Sequence, residues 1–308
     1  MTDRKPIVLI TGATAGIGRH AALYLAERGF HVIATGRSSD ALAVLASEAA
    51  SRGLLTPLRL DVTDPESIAS AAGAVDKLTG GHGVDVLVNN AGYGDIAPLE
   101  MQSDADVRAH YETNVFGLLA VTRAFLPAMR RRGRGRIINV SSLGGRFTLP
   151  FFGAYNSTKH AVESLSDAFR LELRPLGIEV SLIEPGPIHT KFTTGSLAAA
   201  SKYQTPDSPY LRVLERYSAL ARRTDKSAPG PAVTSKAIHH AAASRRPRAR
   251  YAVPLSARLG VAILRALPTR WADALVRRIV RIDRKHLSPA ALPAELGAGR
   301  SDAGAALT

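Results

Sequence analysis

Cysteine is absent from all 308 residues. A disulfide framework, a thiolate metal site and a cysteine nucleophile are therefore excluded. Long apolar runs are missing too. Ile7–Ile10, the first, is too short for a signal-peptide core, and Leu259–Leu264 falls far below the ~18 residues of a membrane span. The expectation is a soluble, cytoplasmic chain. Aromatic residues are sparse at 6%. The Arg-rich C-terminal part lacks interleaved aromatics and any recognised nucleic-acid-binding motif, so no nucleic-acid partner is expected. No metal site is expected either.

Acidic residues are scarce in one place only. Residues 1–190 carry 19 basic and 19 acidic side chains, whereas 191–308 carry 21 and 7, which accounts for the whole net charge of +14. The excess peaks between 245 and 285, with 12 basic residues against 2 acidic. This describes a neutral body with a basic extension, either a solvated face or a surface for an anionic partner.

A 45% hydrophobic content is enough to bury a sizeable core. Its distribution alternates short β-branched runs with helical periods. Strands are predicted at Pro6–Thr11, His31–Thr35, Leu58–Asp61, Val84–Asn89, Arg136–Ser141 and Glu179–Glu184. Helices are predicted at Gly16–Arg28, Asp40–Ser51, Pro65–Leu78, Asp104–Arg132 and Ala154–Pro175. Such alternation implies an α/β doubly wound (Rossmann) parallel sheet of about seven strands, with helices on both faces. Its ligands belong beyond the carboxyl ends of the strands. Residues 186–230 break the rhythm with Gly, Pro, Ser and Thr and two short helical patterns, as a substrate lid would. A helix at Ala232–Ser244 and a last strand at Arg250–Val253 complete a single Rossmann-fold domain, 1–254. A helical extension, 255–287, and a tail, 288–308, follow.

Thr11-Gly12-Ala13-Thr14-Ala15-Gly16-Ile17-Gly18 joins the first strand to the first helix. Glycines there allow a tight turn and bring backbone N–H groups to a pyrophosphate at the helix N-terminus. At the end of the second strand, Ala34-Thr35-Gly36-Arg37-Ser38 has no acid to bond an adenosine ribose. Arg37 and Ser38 instead suit a 2′-phosphate, which favours NADP(H) over NAD(H). Tyr155 and Lys159, four residues apart in a helical segment, project from one face. A phenol with a pKa of ~10 is a poor base at neutral pH, and about 4 kcal/mol of stabilisation of its phenolate by a nearby ammonium would bring it into range.

Taken with Asn89-Asn90-Ala91-Gly92, Asn114-Val115-Phe116-Gly117, Ser141-Ser142-Leu143-Gly144 and Pro185-Gly186-Pro187-Ile188-His189-Thr190, these motifs resemble the short-chain dehydrogenase/reductase family, in family order, over residues 5–190. The glycine spacing resembles the family's short branch. The resemblance implies catalytic roles for Asn114, Ser142, Tyr155 and Lys159. Tyr155 would exchange a proton with the substrate oxygen, Lys159 would depress the phenol pKa and bond the nicotinamide ribose, and Ser142, thirteen residues before Tyr155, would hold the substrate oxygen. Asn114 would bend its helix around a water. The resemblance assigns cofactor contacts to Gly12, Thr14, Gly16, Ile17, Gly18, Arg37, Ser38, Asp61, Val62, Asn89, Ala91, Gly92, Tyr155, Lys159, Pro185, Gly186, Ile188 and Thr190. It implies oxidoreduction between a secondary alcohol and a carbonyl, and a homodimer or homotetramer.

Phe147, Leu149, Phe151, Phe152, Phe192 and Leu197 flank the site and favour an apolar substrate. The turn at Ala34–Arg37, the run Tyr155–Arg174 and the long C-terminus look similar to hydroxysteroid and retinol dehydrogenases, pointing to a steroid- or retinoid-like or other lipophilic ketone. The alternative is an idle nucleotide sensor on the same fold, against which the full catalytic set argues. In Arg270–His286 the residues Trp271, Leu275, Ile279 and Ile282 form a stripe, with Arg277, Arg278, Arg281 and Arg284 largely off it. Together with Leu255–Leu267, this stripe fits either packing on the body or a second subunit, or an anionic membrane surface.

Overall fold

A computed structural model describes residues 4–282 and 287. Seven strands form one parallel sheet: β1 (Ile7–Ile10), β2 (His31–Gly36), β3 (Leu55–Arg59), β4 (Val86–Asn89), β5 (Gly135–Val140), β6 (Ile178–Pro185) and β7 (Arg250–Val253). Their order is β3-β2-β1-β4-β5-β6-β7. The helices are α1 (Gly16–Ala26), α2 (Ser39–Ala49), α3 (Pro65–Thr79), α4 (Asp104–Tyr111), α5 (Gly117–Arg132), α6 (Gly153–Leu173), α7 (Lys191–Ala200), α8 (Leu211–Ser227), α9 (Ala232–Ala243), α10 (Leu255–Ala266) and α11 (Thr269–Val280). The doubly wound sheet expected from the alternation is what forms.

The unbroken apolar run of β1 follows from burial on both faces. Val8 and Ile10 join a core with Ala21, Leu25 and Leu45 of α1 and α2 and Ile238 of α9. Ile7 and Leu9 point the other way, into a core with Ile68 and Val75 of α3 and Val121, Phe125 and Met129 of α5. The strand order reverses between β1 and β4, which opens the crevice where the ligands of such sheets sit.

Three sequence expectations shift. The third strand begins at Leu55, not Leu58, and includes Pro57. It is the edge strand, so the missing proline N–H breaks no ladder beyond it. The single helix expected over Asp104–Arg132 is two, joined by a five-residue π-turn at Glu112–Phe116. The cause lies in Asn114, whose side chain bonds backbone outside the helix. The last helix ends at Val280, where Arg281 takes a left-handed conformation. Residues 283–286, the remainder of the helix expected to His286, and the tail at 288–308 lie outside the described residues. No helix among those described is long and apolar enough to cross a membrane.

A third core ties the segment 186–230 to the body. Ile96, Phe151, Tyr203 of the turn after α7, and Val213, Leu214 and Tyr217 of α8 pack together, and Val276 and Val280 of α11 complete the cluster.

Candidate active site

The ends of β1, β4, β5 and β6 open on a cavity of about 860 Å³. At one end lies the glycine loop. Thr11 fastens it to the loop after β4, its hydroxyl accepting from the backbone N–H of Asn90 (2.9 Å) and Ala91 (3.0 Å). The Asn90 amide donates back to the carbonyls of Thr11 and Gly12. The close approach explains two glycines. Gly12 has φ +65°, and a Cβ there would come within 2.9 Å of Ala91 Cα. A Cβ on Gly18 would collide with the Gly12 carbonyl and the Asn90 amide. Helix α1 then starts on Ala15, with no side chain to cap it. Its first-turn N–H groups stand beside a cavity lined by Gly12, Gly16 and Ile17, an arrangement that can receive an anion.

At the other end are the proton-handling groups. Ser142 follows β5; its hydroxyl donates to the Pro185 carbonyl (3.3 Å) and accepts from the Gly144 N–H (3.0 Å). Tyr155 and Lys159 occupy the start of α6 and both line the cavity, with the phenol beside the Ser142 hydroxyl. The Lys159 ammonium is buried, donates to the Val140 carbonyl at 2.9 Å and sits 5.7 Å from the Tyr155 ring centre. Asn114 stands behind them. Its amide accepts from the Tyr93 N–H (3.1 Å) and donates to the Tyr93 carbonyl (2.9 Å) and Thr158 (3.1 Å). A Cβ on Gly92 would lie 2.9 Å from Asn114 Oδ1 and 3.6 Å from Lys159 Nζ, so the missing side chain leaves room for both groups.

The electrostatics correct one expectation. Desolvation pushes the Tyr155 phenol up to about 12, with Ser142 pulling the other way. Charging it costs about 3 kcal/mol more than in water. The Lys159 ammonium is driven down to about 8, again by burial, which Glu163 opposes. The depression of the phenol by its neighbour, read from the sequence, is absent here. Lys159 aims at a backbone carbonyl, and burial outweighs its charge.

This layout has relatives. The profile of the short chain dehydrogenase family matches residues 6–200. The chain belongs to that family. Within it, the chain is 38% identical over 270 residues to the uncharacterized oxidoreductase YbbO of Escherichia coli, covering 88% of this chain and 93% of YbbO. It is 41% identical over 198 residues to human 17-beta-hydroxysteroid dehydrogenase type 1, covering 61% of this chain and 58% of that one. A solved short-chain dehydrogenase/reductase from Burkholderia phymatum, in complex with NAD, superposes with a TM-score of 0.74 at 25% identity, over 86% of this chain and 95% of that one. The chain is thus an oxidoreductase of the short-chain dehydrogenase family.

Ten of the residues marked from the sequence share the cavity wall: Gly12, Gly16, Ile17, Ala91, Gly92, Ser142, Tyr155, Lys159, Pro185 and Gly186. Ile188 and Thr190 join them, Thr190 also capping α7 by accepting from the Phe192 N–H. Others do not reach this dehydrogenase's cavity. Asn89 is buried, its amide donating to Thr122 and Asn139 at 2.9 Å, and Asn90 stands at the wall in its place. Thr14 packs against Gly36 at the end of β2. Arg37 is exposed, and Ser38 caps α2 by accepting from the Ala41 N–H. Asp61 bonds Thr63 in a turn, and Val62 is core. Burial draws Asp61 upward, but the Thr63 bonds and the charges of Arg37 and Arg59 hold it below its ordinary value. Arg37 and Asp61 are therefore neighbours.

Of the aromatic and apolar residues, Phe147, Leu149, Phe152 and Phe192 line the cavity, while Phe151 and Leu197 belong to the third core, on which Phe152 also packs. Phe151 has φ +65°, a left-handed kink, and both its ring and that of Phe152 pack against Tyr217. Two contributions had no sequence signal. Ala257, Gly260, Val261 and Leu264 of α10 form part of the wall. Asp95 also lines it, with the fully buried His110 ring 3.7 Å behind its carboxylate.

Proposed function

We propose that this short-chain dehydrogenase interconverts a secondary alcohol and a carbonyl on a lipophilic substrate with NADP(H), Tyr155 being the general acid/base. The observation that carries the reading is the convergence of Ser142, Tyr155 and Lys159 on one cavity whose far end is an uncapped, glycine-lined helix start. The residues present fit a dinucleotide. The backbone at Gly12 and Gly18 leaves no room for a side chain, and the free N–H groups of α1 suit its phosphates. The guanidinium of Arg37, exposed beside Asp61, suits a 2′-phosphate. Bound nicotinamide supplies or accepts the hydride.

The chain's own groups do the rest. Ser142 holds the substrate oxygen beside the phenol. With its pKa raised, Tyr155 carries its proton at neutral pH and is set to donate it to a carbonyl oxygen. The buried Lys159 ammonium keeps positive charge near the phenolate left behind and, like Asn114, borders the space over Gly92. Phe147, Leu149, Phe152 and Phe192 give the substrate end an apolar lining, and the relation to a hydroxysteroid dehydrogenase agrees with a bulky, apolar ketone.

The test is a panel of ketones and secondary alcohols, from small to polycyclic, followed by NADPH absorbance with NADH as comparison. Turnover with NADPH on apolar ketones is expected. Nucleotide binding without turnover on any member would favour the sensor reading instead.

A further inference from the structure

Six of the fifteen exposed large apolar side chains among the described residues fall within the 25 residues from Leu255 to Ile279. Leu255, Leu259 and Ile263 on α10, and Trp271 and Ile279 on α11, are each 57–71% exposed, and Leu275 is 39%. The spacing is four residues throughout, so each helix carries one outward stripe. On α11 three residues of the stripe seen in the sequence, Trp271, Leu275 and Ile279, face outward. The fourth, Ile282, packs with Val276 and Val280 against the third core. Among the described residues, packing against the body leaves these faces uncovered.

Arginines border both stripes. Arg258 and Arg265 lie seven residues apart on one flank of α10, and Arg270 and Arg277 do the same on α11, with Arg278 and Arg281 nearby. From Leu255 to Ile282 there are six arginines and one acid, Asp273. A second copy meeting this face would set arginine against arginine. A layer of anionic phosphates over an apolar interior complements both the charge and the stripe.

We propose that the outward faces of α10 and α11 seat this dehydrogenase on an anionic lipid bilayer. The inward face of α10 is a wall of the cavity, through Ala257, Gly260, Val261 and Leu264. One helix thus separates the lipid from the site, and a lipophilic substrate has a short path between them. Docking does not depend on the proposed chemistry; the delivery of substrate does.

The experiment is flotation of the full chain, without nucleotide or substrate, on phosphatidylcholine vesicles with and without about 30% phosphatidylglycerol. Binding to the anionic vesicles at low salt is expected, with at least a tenfold loss at about 0.5 M salt. The emission of Trp271, the only tryptophan, should shift to the blue on binding. Leu259→Glu with Ile263→Glu should abolish binding without altering turnover of a water-soluble ketone. Arg258→Ala and Arg278→Ala, which leave the fold's contacts alone, should each cost about fivefold in partitioning. No binding at low salt, or binding indifferent to lipid charge and to these variants, overturns the proposal. So does a glutamate variant that dissociates an oligomer in solution while the wild type ignores vesicles, since the occupant is then a second copy. Because no turnover enters the flotation, failure of the oxidoreductase reading would leave its result intact.

Discussion

On the strand side of the cavity, positions are set by backbone. Thr11, Asn90, Gly12 and Gly18 lock two loops together with hydrogen bonds and with spaces that no Cβ can enter. On the other side, α10 contributes Gly260, where an added Cβ meets nothing within 4 Å, and a row of exposed leucines and isoleucine on its back. One region is neutral, buried and intolerant; the other is basic, half-exposed and permissive. Chemistry needs groups held to a fraction of an ångström, whereas containment of an apolar ligand needs only shape.

Replacing single residues on the two sides should separate these roles. Tyr155→Phe should lower kcat by about 10²–10⁴-fold while NADPH affinity, measured by fluorescence titration, stays within about twofold. Unchanged turnover would remove the phenol from the chemistry. Arg37→Glu should raise KM for NADPH about 30- to 100-fold, with little change for NADH. Equal effects on both nucleotides would refute the 2′-phosphate contact. On the permissive side, Gly260→Phe should raise KM for polycyclic ketones about tenfold and leave small ketones alone. A uniform loss across both would show that α10 supports the site instead of shaping it.

The same mutation on the two sides gives a smaller, more direct contrast. Gly18→Ala should destabilise by about 1–3 kcal/mol, because the new methyl strikes the Gly12 carbonyl. Gly260→Ala should stabilise by about 0.5–1 kcal/mol through helix propensity. Matching melting temperatures would undo the distinction. The smallest effect concerns Glu163, one turn beyond Lys159 and paired with Arg250. Burial raises its carboxyl to about 7. The folded chain then holds a proton that the unfolded chain releases above about 4.5, so this group's contribution to stability is full below that pH and lost as pH rises through 7. Glu163→Gln should therefore gain on the wild type in melting temperature between pH 5 and pH 8. A constant gap would mean that Glu163 is ionised throughout.

The sheet was legible because burial on both faces writes itself as runs such as Ile7–Ile10, and the crossovers leave helical periods between them. A bend at Asn114 was implied by the resemblance alone; its form, a π-turn whose asparagine bonds Tyr93, 21 residues away, was not legible. That Tyr155 and Lys159 face one cavity could be read because they share one helix. Their ionisation could not, because that depends on where the ammonium points and how much protein surrounds the phenol. Asn89 and Asn90 exchanged places for a similar reason. In a strand buried on both faces, neither side is marked as the cavity side. The α10 wall escaped altogether, since its inward residues differ from its outward ones only in size and not in polarity.

The lone indole stands exposed on the outer flank of α11, outside the cores that enclose the sheet. Its signal in a denaturation curve will report the loosening of that terminal helix and stay silent on the melting of the seven strands. Two spectroscopies, one following backbone ellipticity and one following this emission, would therefore trace different transitions in the same cuvette.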